Sequence, residues 1–111
     1  MGEEFDIHRQ ELRRGTVVLA CLELLRIPGY GYGLLEALDR RGFATDANTL
    51  YPLLRRLETQ GLLASEWNTG HAPPRRYYRL SAEGKRAFTL LAEAWRDQVK
   101  VMGGFLVKET K

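Results

Sequence analysis

The sequence predicts a mainly α fold with one small β-hairpin, which belongs to the α+β class. Four segments have the length and apolar spacing of helices, and two short runs rich in aromatic and apolar residues flank a dense cluster of turn residues. The 111 residues have the length of one domain, with 44% hydrophobic and 28% charged content. Each predicted element has its own apolar pattern and its own end signals.

The first two helices are predicted from dense apolar residues and from residues that end a helix. Residues 12–25 form an apolar segment too long for a strand, and Pro28 with Gly29 ends this helix. The second helix follows the Gly-Tyr-Gly run at 31–33 and ends at Gly42, which suits the position after a helix. The longer run Gly-Tyr-Gly-Tyr-Gly at 29–33 lacks the spacing of a phosphate-binding loop, so we expect its glycines to serve the tight turn between the helices.

A third helix is predicted from Asp46 to Gln60. Thr45 or Asp46 can cap its start, and Gly61 suits the position after its end. Apolar residues recur at i, i+3, i+4 and i+7, so they form one stripe that faces the core. This stripe consists of Leu50, Leu53, Leu54 and Leu57. The opposite face carries side chains that can contact base edges and phosphates, namely Asn48, Thr49, Tyr51, Pro52, Arg55 and Arg56.

A hairpin is predicted from residues 62–67 and 75–80, which lie on either side of the turn cluster at 68–74. Side chains alternate between the two faces of a strand, so one set is expected to point inward and the other outward. The inward set is Leu63, Trp67, Tyr78 and Leu80. The outward set is Arg75, Tyr77 and Arg79.

A fourth helix is predicted to follow Ser81, which suits the N-cap position. Apolar residues then occur at spacings of 3, 4, 4 and 3, close to the 3.5-residue repeat of a helix–helix seam. These seam residues are Phe88, Leu91, Trp95, Val99 and Met102. On a single copy the seam would be an exposed apolar patch, so we expect a homodimer through this helix.

The basic residues concentrate in the middle of the chain. Residues 40–86 carry nine bases and four acids, whereas residues 1–11 carry four acids and one base. Three helices followed by a basic hairpin are typical of a winged helix-turn-helix, in which one helix enters the major groove and the hairpin reaches phosphates beside it. We therefore predict a winged helix-turn-helix DNA-binding domain at 1–80, with 1–11 as an N-terminal extension, and a C-terminal dimerisation helix at 81–111.

A series of short motifs runs along the chain in order: LRRGTVVL at 12–19, GYG at 31–33, TLYPLLRRLE at 49–58, GLL at 61–63, PRRYYRL at 74–80 and EG at 83–84. Together these motifs, within residues 12–100, resemble the PadR family of bacterial transcriptional regulators. The resemblance implies a repressor that binds double-stranded operator DNA as a homodimer clasped by its C-terminal helix. Asn48 stands where glycine or serine is common in the family, and the chain resembles the short subfamily without a separate effector domain.

The resemblance also implies which side chains meet DNA. On the third helix these are Asn48, Thr49, Tyr51, Arg55 and Arg56, with Pro52 on the same face. On the hairpin, Arg75, Arg76 and His71 at the tip are implied to approach the DNA backbone. Tyr32, near the start of the second helix, either donates to a phosphate or packs at the corner between two helices.

Trp95 marks a candidate effector site. Some short members of the family that this chain resembles bind planar apolar compounds, often cationic, between aromatic side chains at the dimer interface. Two copies of Trp95 could enclose such a small aromatic or cationic effector, with Glu93 and Asp97 nearby, or Trp95 could only pack the dimer. Trp67 could close one wall of this site or pack the hairpin on the third helix.

Other kinds of site have little support in the sequence. Cys21 is the only cysteine and is expected to be a small buried apolar group. The two histidines, His8 and His71, lie in polar segments far from it. We therefore expect no metal site, no cofactor and no enzyme.

The chain is also expected to have no membrane segment. Its longest apolar run is cut off by Glu23 and Arg26, and its first residues are acidic, unlike those of a signal peptide. We expect a cytoplasmic protein. The alternative function is a winged-helix module that binds protein or RNA, and a hydrophobic outer face on the third helix would favour it. That face is polar and basic, which favours DNA.

Overall fold

A computed structural model describes residues 2–107 of the chain. In chain order the elements are α1 (Gly2–Leu24), β1 (Gly29–Tyr30), α2 (Gly31–Arg40), α3 (Ala47–Thr59), β2 (Leu63–Asn68), β3 (Arg75–Leu80) and α4 (Ala82–Phe105). The sheet is antiparallel with the strand order β1-β3-β2, and β2 and β3 form the hairpin. The molecule is a winged helix-turn-helix with a long C-terminal helix, which confirms the predicted mainly α, α+β fold.

The third helix begins and ends at the signals that the sequence carries. Asp46 precedes α3 in an extended conformation, and its Oδ1 accepts a hydrogen bond from the Thr49 amide at 2.8 Å. Gly61 follows the helix with a φ of +82°, in the left-handed region that favours glycine. Pro52 lies within the first two turns on the exposed side, and α3 continues through it.

One hydrophobic core lies between the helices and the sheet. The stripe predicted on α3 faces this core, with Leu50, Leu54 and Leu57 buried and Leu53 half-buried. The remaining buried side chains come from the regions of α1, α2 and the sheet: Cys21, Leu22, Leu25, Leu34, Leu38, Leu63, Tyr78 and Leu80. Removal of this apolar surface from water holds α3 in place by its inner face, which leaves the outer face to solvent.

Cys21 lies fully inside this core, as the sequence predicts. Burial raises the pKa of its thiol to about 12, because the thiolate would lose its hydration. The neutral thiol packs as a small apolar group.

α4 starts directly on the turn that ends α3. The Ser81 amide donates to the Leu62 carbonyl at 3.1 Å, and the Ser81 hydroxyl donates to the Gly61 carbonyl. The same hydroxyl oxygen accepts from the Gly84 amide at 2.9 Å and caps α4. A Cβ on Gly84 would stand 2.0 Å from the Leu62 carbonyl oxygen, so only glycine permits this approach. These contacts join α3 to α4.

α1 begins well before the predicted position. It starts at Gly2 instead of residue 12, so the segment predicted as an N-terminal extension is helical. Ion pairs three residues apart lie along it, Asp6 with Arg9 at 3.6 Å and Glu11 with Arg14 at 3.0 Å. Within residues 2–107, no helix is apolar over a sufficient length to cross a membrane.

The hairpin follows the predicted alternation, with one exception. Leu63, Tyr78 and Leu80 are buried, but Trp67 is 62% exposed, so the prediction that Trp67 points into the core was wrong. The register explains the difference. Trp67 pairs with Arg76 on the same face of the sheet as the buried residues, but beyond the end of the core. β1, which pairs with β3, was not predicted.

Candidate nucleic-acid interface

The outer face of α3 is a continuous polar and basic surface. Every predicted contact residue on it except Tyr51 is exposed: Asn48, Thr49, Pro52, Arg55 and Arg56. Neither Arg55 nor Arg56 forms an ion pair within residues 2–107. Amide, hydroxyl and guanidinium groups on one face of a helix can contact base edges and phosphates in a major groove.

Tyr51 is half-buried at the contact between α3 and the start of α2. A Cβ on Gly31 would stand 2.5 Å from Cε1 of the Tyr51 ring, and a Cβ on Gly33 would stand 3.1 Å from Cε1 of Tyr30. Both glycines lie inside α2, and neither has a positive φ. The prediction that the glycines of the 29–33 run serve the turn between the helices was therefore wrong for Gly31 and Gly33. They make room for two tyrosine rings, and one of these rings belongs to the predicted DNA-contact face.

Tyr32 lies between these two glycines in the first turn of α2. Its side chain is 56% exposed, which disfavours the alternative that it only packs between helices. The hydroxyl of an exposed tyrosine can donate to a phosphate. The structure thus brings Tyr32 and Tyr51 to the same end of α2, although they are far apart in the sequence.

The outer face of the sheet carries a second group of basic and aromatic side chains. The Arg75 guanidinium lies 4.4 Å from the centre of the Tyr30 ring, and the Tyr30 and Tyr77 rings are 5.5 Å apart. Arg79 on the same face is exposed, and so is His71 at the hairpin tip. Arg75 and His71 thus lie where the sequence places them, on the hairpin outside the core.

Arg76 lies on the opposite face of the sheet from Arg75. Its NH2 group donates to Glu58 Oε1 of α3 at 2.9 Å, and its Nε donates to Ser65 Oγ of β2 at 3.0 Å. The guanidinium also lies 5.9 Å from the Trp67 ring centre. The structure therefore separates two arginines that the sequence treats as a pair, and it places Arg76 between α3 and the hairpin.

The two tryptophans lie in different parts of the fold. Trp95 is on the exposed side of α4 and is 45% exposed, whereas Trp67 lies beside Arg76 near the end of β2. The expectation that Trp67 packs the hairpin on α3 does not fit its exposure. Among residues 2–107, no group of three or more His, Cys, Asp or Glu side chains could hold a metal ion.

Residues 18–90 match the family model described as the transcriptional regulator PadR-like family. The chain belongs to this family. It is 45% identical to a PadR family transcriptional regulator from Eggerthella lenta, over 96% of each chain, and matches its crystal structure with a TM-score of 0.88. A transcriptional regulator from Clostridium thermocellum is 28% identical over 86% of this chain and 98% of its own, with a TM-score of 0.79. A curated relative is transcriptional regulator Rv3488 of Mycobacterium tuberculosis, 38% identical over 76 residues, which are 68% of this chain and 71% of that protein.

The PadR-family assignment agrees with the sequence motifs, but the structure adds residues that the motifs did not single out. Gly31 and Gly33 accommodate tyrosine rings, and Glu58 and Ser65 bind Arg76. Strand alternation carried a signal for the second group, because Arg76 and Tyr78 are two residues apart and share a face. Glu58 on the third helix is the acidic side chain that this face meets.

Proposed function

We propose that this PadR-family transcriptional regulator is a repressor that binds double-stranded operator DNA as a homodimer. In this proposal residues 1–80 contain the DNA-binding domain and residues 81–111 contain the dimerisation helix α4, with residue 1 and residues 108–111 outside the described part of the chain. The protein acts in the cytoplasm without catalysis. α3 enters the major groove, while Arg75 and His71 on the hairpin and Tyr32 on α2 approach the backbone. The observation that carries the proposal is that α3 has a buried apolar inner face and an exposed polar and basic outer face.

The inner face of α3 packs in the core, whereas its outer face is exposed to solvent. Leu50, Leu54 and Leu57 are buried, so the helix is held rigidly by the domain. Arg55 and Arg56 project from the opposite side without an intramolecular ion pair among the described residues. Two uncompensated cations on a helix of groove-fitting size favour a polyanion over a protein partner, whose docking surface would be apolar.

Dimerisation is supported by the apolar face of α4. Of the predicted seam, Phe88 packs against the core of its own chain. The rest of the seam is exposed along α4 from Leu91 onward, namely Leu91, Trp95, Val99 and Met102. Seam residues left in water form an apolar patch that a second copy would cover. Sedimentation is expected to show a dimer at micromolar concentration, and a stable monomer would contradict this part of the proposal.

An effector site is proposed at the dimer interface. Trp95 lies in the exposed seam, so two copies would bring two indole rings to one interface, where a planar aromatic or cationic compound could stack between them. We expect a planar cationic dye to quench Trp95 fluorescence and to release the protein from DNA. Quenching that persists in the Trp95→Ala variant, where Trp67 is the remaining tryptophan, would refute this site.

The test of DNA binding is a salt titration with a duplex that carries the promoter of the protein's own gene. Affinity is expected to fall steeply with salt, because each phosphate contact releases counterions. Arg55→Ala and Arg56→Ala should each weaken binding by about 1–3 kcal/mol, and loss of a phosphate contact should reduce the salt slope by about 1. Arg14→Ala removes an equal charge from α1, where Arg14 already pairs with Glu11, and serves as the matched control. Affinity that is independent of salt, or equal losses in all three variants, would contradict DNA binding through α3.

A further inference from the structure

A polar network of three side chains connects the recognition helix with the hairpin. Glu58 on α3 accepts two hydrogen bonds, one from the Ser65 hydroxyl at 2.6 Å and one from the Arg76 guanidinium at 2.9 Å. The Arg76 Nε closes the triangle by donating to Ser65 Oγ at 3.0 Å. Each of the three is partly buried. One side chain from each of α3, β2 and β3 thus meets at a single point.

The ion pair between Glu58 and Arg76 differs from the others within residues 2–107. The other four join residues three positions apart, on exposed side chains of one helix or its end. The pair of Glu58 and Arg76 instead connects residues 18 positions apart, on two elements. Arg76 is held further by the rings of Trp67 and Tyr78, whose centres lie 5.9 and 5.6 Å from its Cζ atom.

The position of Glu58 indicates that the network has a specific role. A carboxylate in the last turn of a helix is opposed by the helix dipole, and on a DNA-facing domain it also repels phosphates. Arg76 compensates the charge of Glu58, and its own positive charge is compensated in the same ion pair. An arginine whose guanidinium is engaged by a carboxylate, a hydroxyl and two rings contributes little to phosphate binding.

The network lies where the hydrophobic attachment of the hairpin ends. Along β2, burial decreases from Leu63, which is buried, through Ser65 to the exposed Trp67, and residues 66–74 are all exposed. The core therefore fixes the base of the hairpin, and the Glu58 network is the attachment to α3 nearest its outer part. Hydrogen bonds with charged partners are directional, so they set an angle as well as a contact.

We propose that Glu58, Ser65 and Arg76 are positioning residues, which fix the angle between α3 and the wing (residues 63–80) so that both meet one duplex. Arg76 acts through Glu58 and does not contact DNA. This inference rests on the proposed DNA-binding function, and it assigns to Arg76 a role different from the backbone contact that the family resemblance implies.

The test is a charge exchange between Glu58→Arg and Arg76→Glu, singly and together. The double variant keeps the net charge of the wild type, and the Ser65 hydroxyl can donate to Glu at 76 and accept from Arg at 58. The probe is a duplex selected by the wild-type protein from a random pool. Affinity is measured by fluorescence anisotropy, and the protected nucleotides are mapped by hydroxyl-radical footprinting.

Each single variant is expected to weaken binding roughly tenfold, which corresponds to about 1.4 kcal/mol, and to lose the wing's part of the footprint. The double variant should recover most of the affinity and the full footprint. The decisive result is whether Glu58→Arg weakens or strengthens DNA binding, because this variant adds positive charge to a DNA-facing domain. If Arg76 contacts phosphate directly, Glu58→Arg strengthens binding and Arg76→Glu is not rescued by it, and either result would overturn the inference.

Two further variants separate positioning from charge and from folding. Arg79→Glu reverses an exposed arginine on the other face of β3, and Glu58→Arg should not rescue it. Arg76→Lys keeps the charge but loses the planar fork that reaches Glu58 and Ser65 together, so it should lose wing protection while urea unfolding confirms a folded protein. Unchanged protection in folded Arg76→Lys would overturn the inference. A wild-type protein that selects no duplex would refute the proposed function, and the positioning role with it.

Discussion

Gly84→Ala tests the close contact between α4 and the turn that follows α3. In an ordinary helix this change stabilises by up to about 1 kcal/mol, because alanine has the higher helix propensity. Here the new Cβ would stand 2.0 Å from the Leu62 carbonyl oxygen and 3.0 Å from its carbon, and these are backbone atoms that cannot rotate away. Because real contacts of a Cβ are not shorter than about 3.0 Å, the carbonyl would have to withdraw by about 1 Å.

Withdrawal of the Leu62 carbonyl lowers the stability of the folded protein in two ways. It lengthens the 3.1 Å hydrogen bond from the Ser81 amide to Leu62, a loss of about 0.5–1.5 kcal/mol. Overpacking adds about 1–3 kcal/mol. After subtracting the gain of about 1 kcal/mol in helix propensity, we expect Gly84→Ala to lower the free energy of unfolding by about 0.5–3.5 kcal/mol.

Urea unfolding followed by far-UV circular dichroism measures this difference, with all variants at one protein concentration because a dimer's stability depends on it. Gly15→Ala is the matched control, since Gly15 lies inside α1 and a Cβ there meets nothing within 4 Å. We expect this control to gain about 0.5–1 kcal/mol. Unfolding of Gly84→Ala at the same urea concentration as the wild type, or at a higher one, would show that Leu62 tolerates a Cβ at this position.

Two other predictions follow from the packing. Gly31→Ala places a Cβ 2.5 Å from the Tyr51 ring, so the ring has to move. DNA affinity should then fall about three- to tenfold in anisotropy titrations, while the free energy of unfolding changes by about 1 kcal/mol or less. Unchanged affinity would show that the position of the Tyr51 ring does not matter for DNA binding. Cys21 has a folded pKa of about 12 against a usual 9.0, so its stabilising effect is complete below pH 9.0 and is lost as pH rises toward 12. A Cys21→Ala variant should lose this part of the pH dependence of urea unfolding, and a thiol reagent that labels native Cys21 quickly would contradict its burial.

The elements with a one-sided apolar pattern were predictable from the sequence. The leucines of α3 recur at helical spacing, and Asp46 and Gly61 mark its ends, so the helix that carries the candidate interface was found with its buried and exposed faces in place. β1 was not predicted because a strand of two residues is too short to show an alternating apolar pattern. Residues 2–11 of α1 were not predicted because their apolar residues, Phe5 and Ile7, are exposed and form no stripe toward the core of this chain.

The contacts between elements were the part that a local pattern could not show. Alternation placed Trp67 on the inward face, but only the register of the hairpin shows that the core ends before it. Alternation does place the adjacent Arg75 and Arg76 on opposite faces of β3, but it does not show what either face meets. That Arg76 meets Glu58 depends on how α3 and the hairpin pack, which the sequence does not state locally.

The joint between α3 and α4 has a consequence for regulation in the proposed dimer. Ser81 bonds to both Gly61 and Leu62, so the end of α3 and the start of α4 move together. Trp95 lies 14 residues along α4 from Ser81, or about 21 Å at 1.5 Å per residue. A tilt of α4 by about 10° around Trp95 would therefore move Ser81 by about 3.7 Å, slightly more than the spacing of about 3.4 Å between successive base pairs. In the proposed dimer, an effector at Trp95 would need no contact with α3 to release DNA, because a small change in the pairing of two α4 helices would put the two recognition helices out of register.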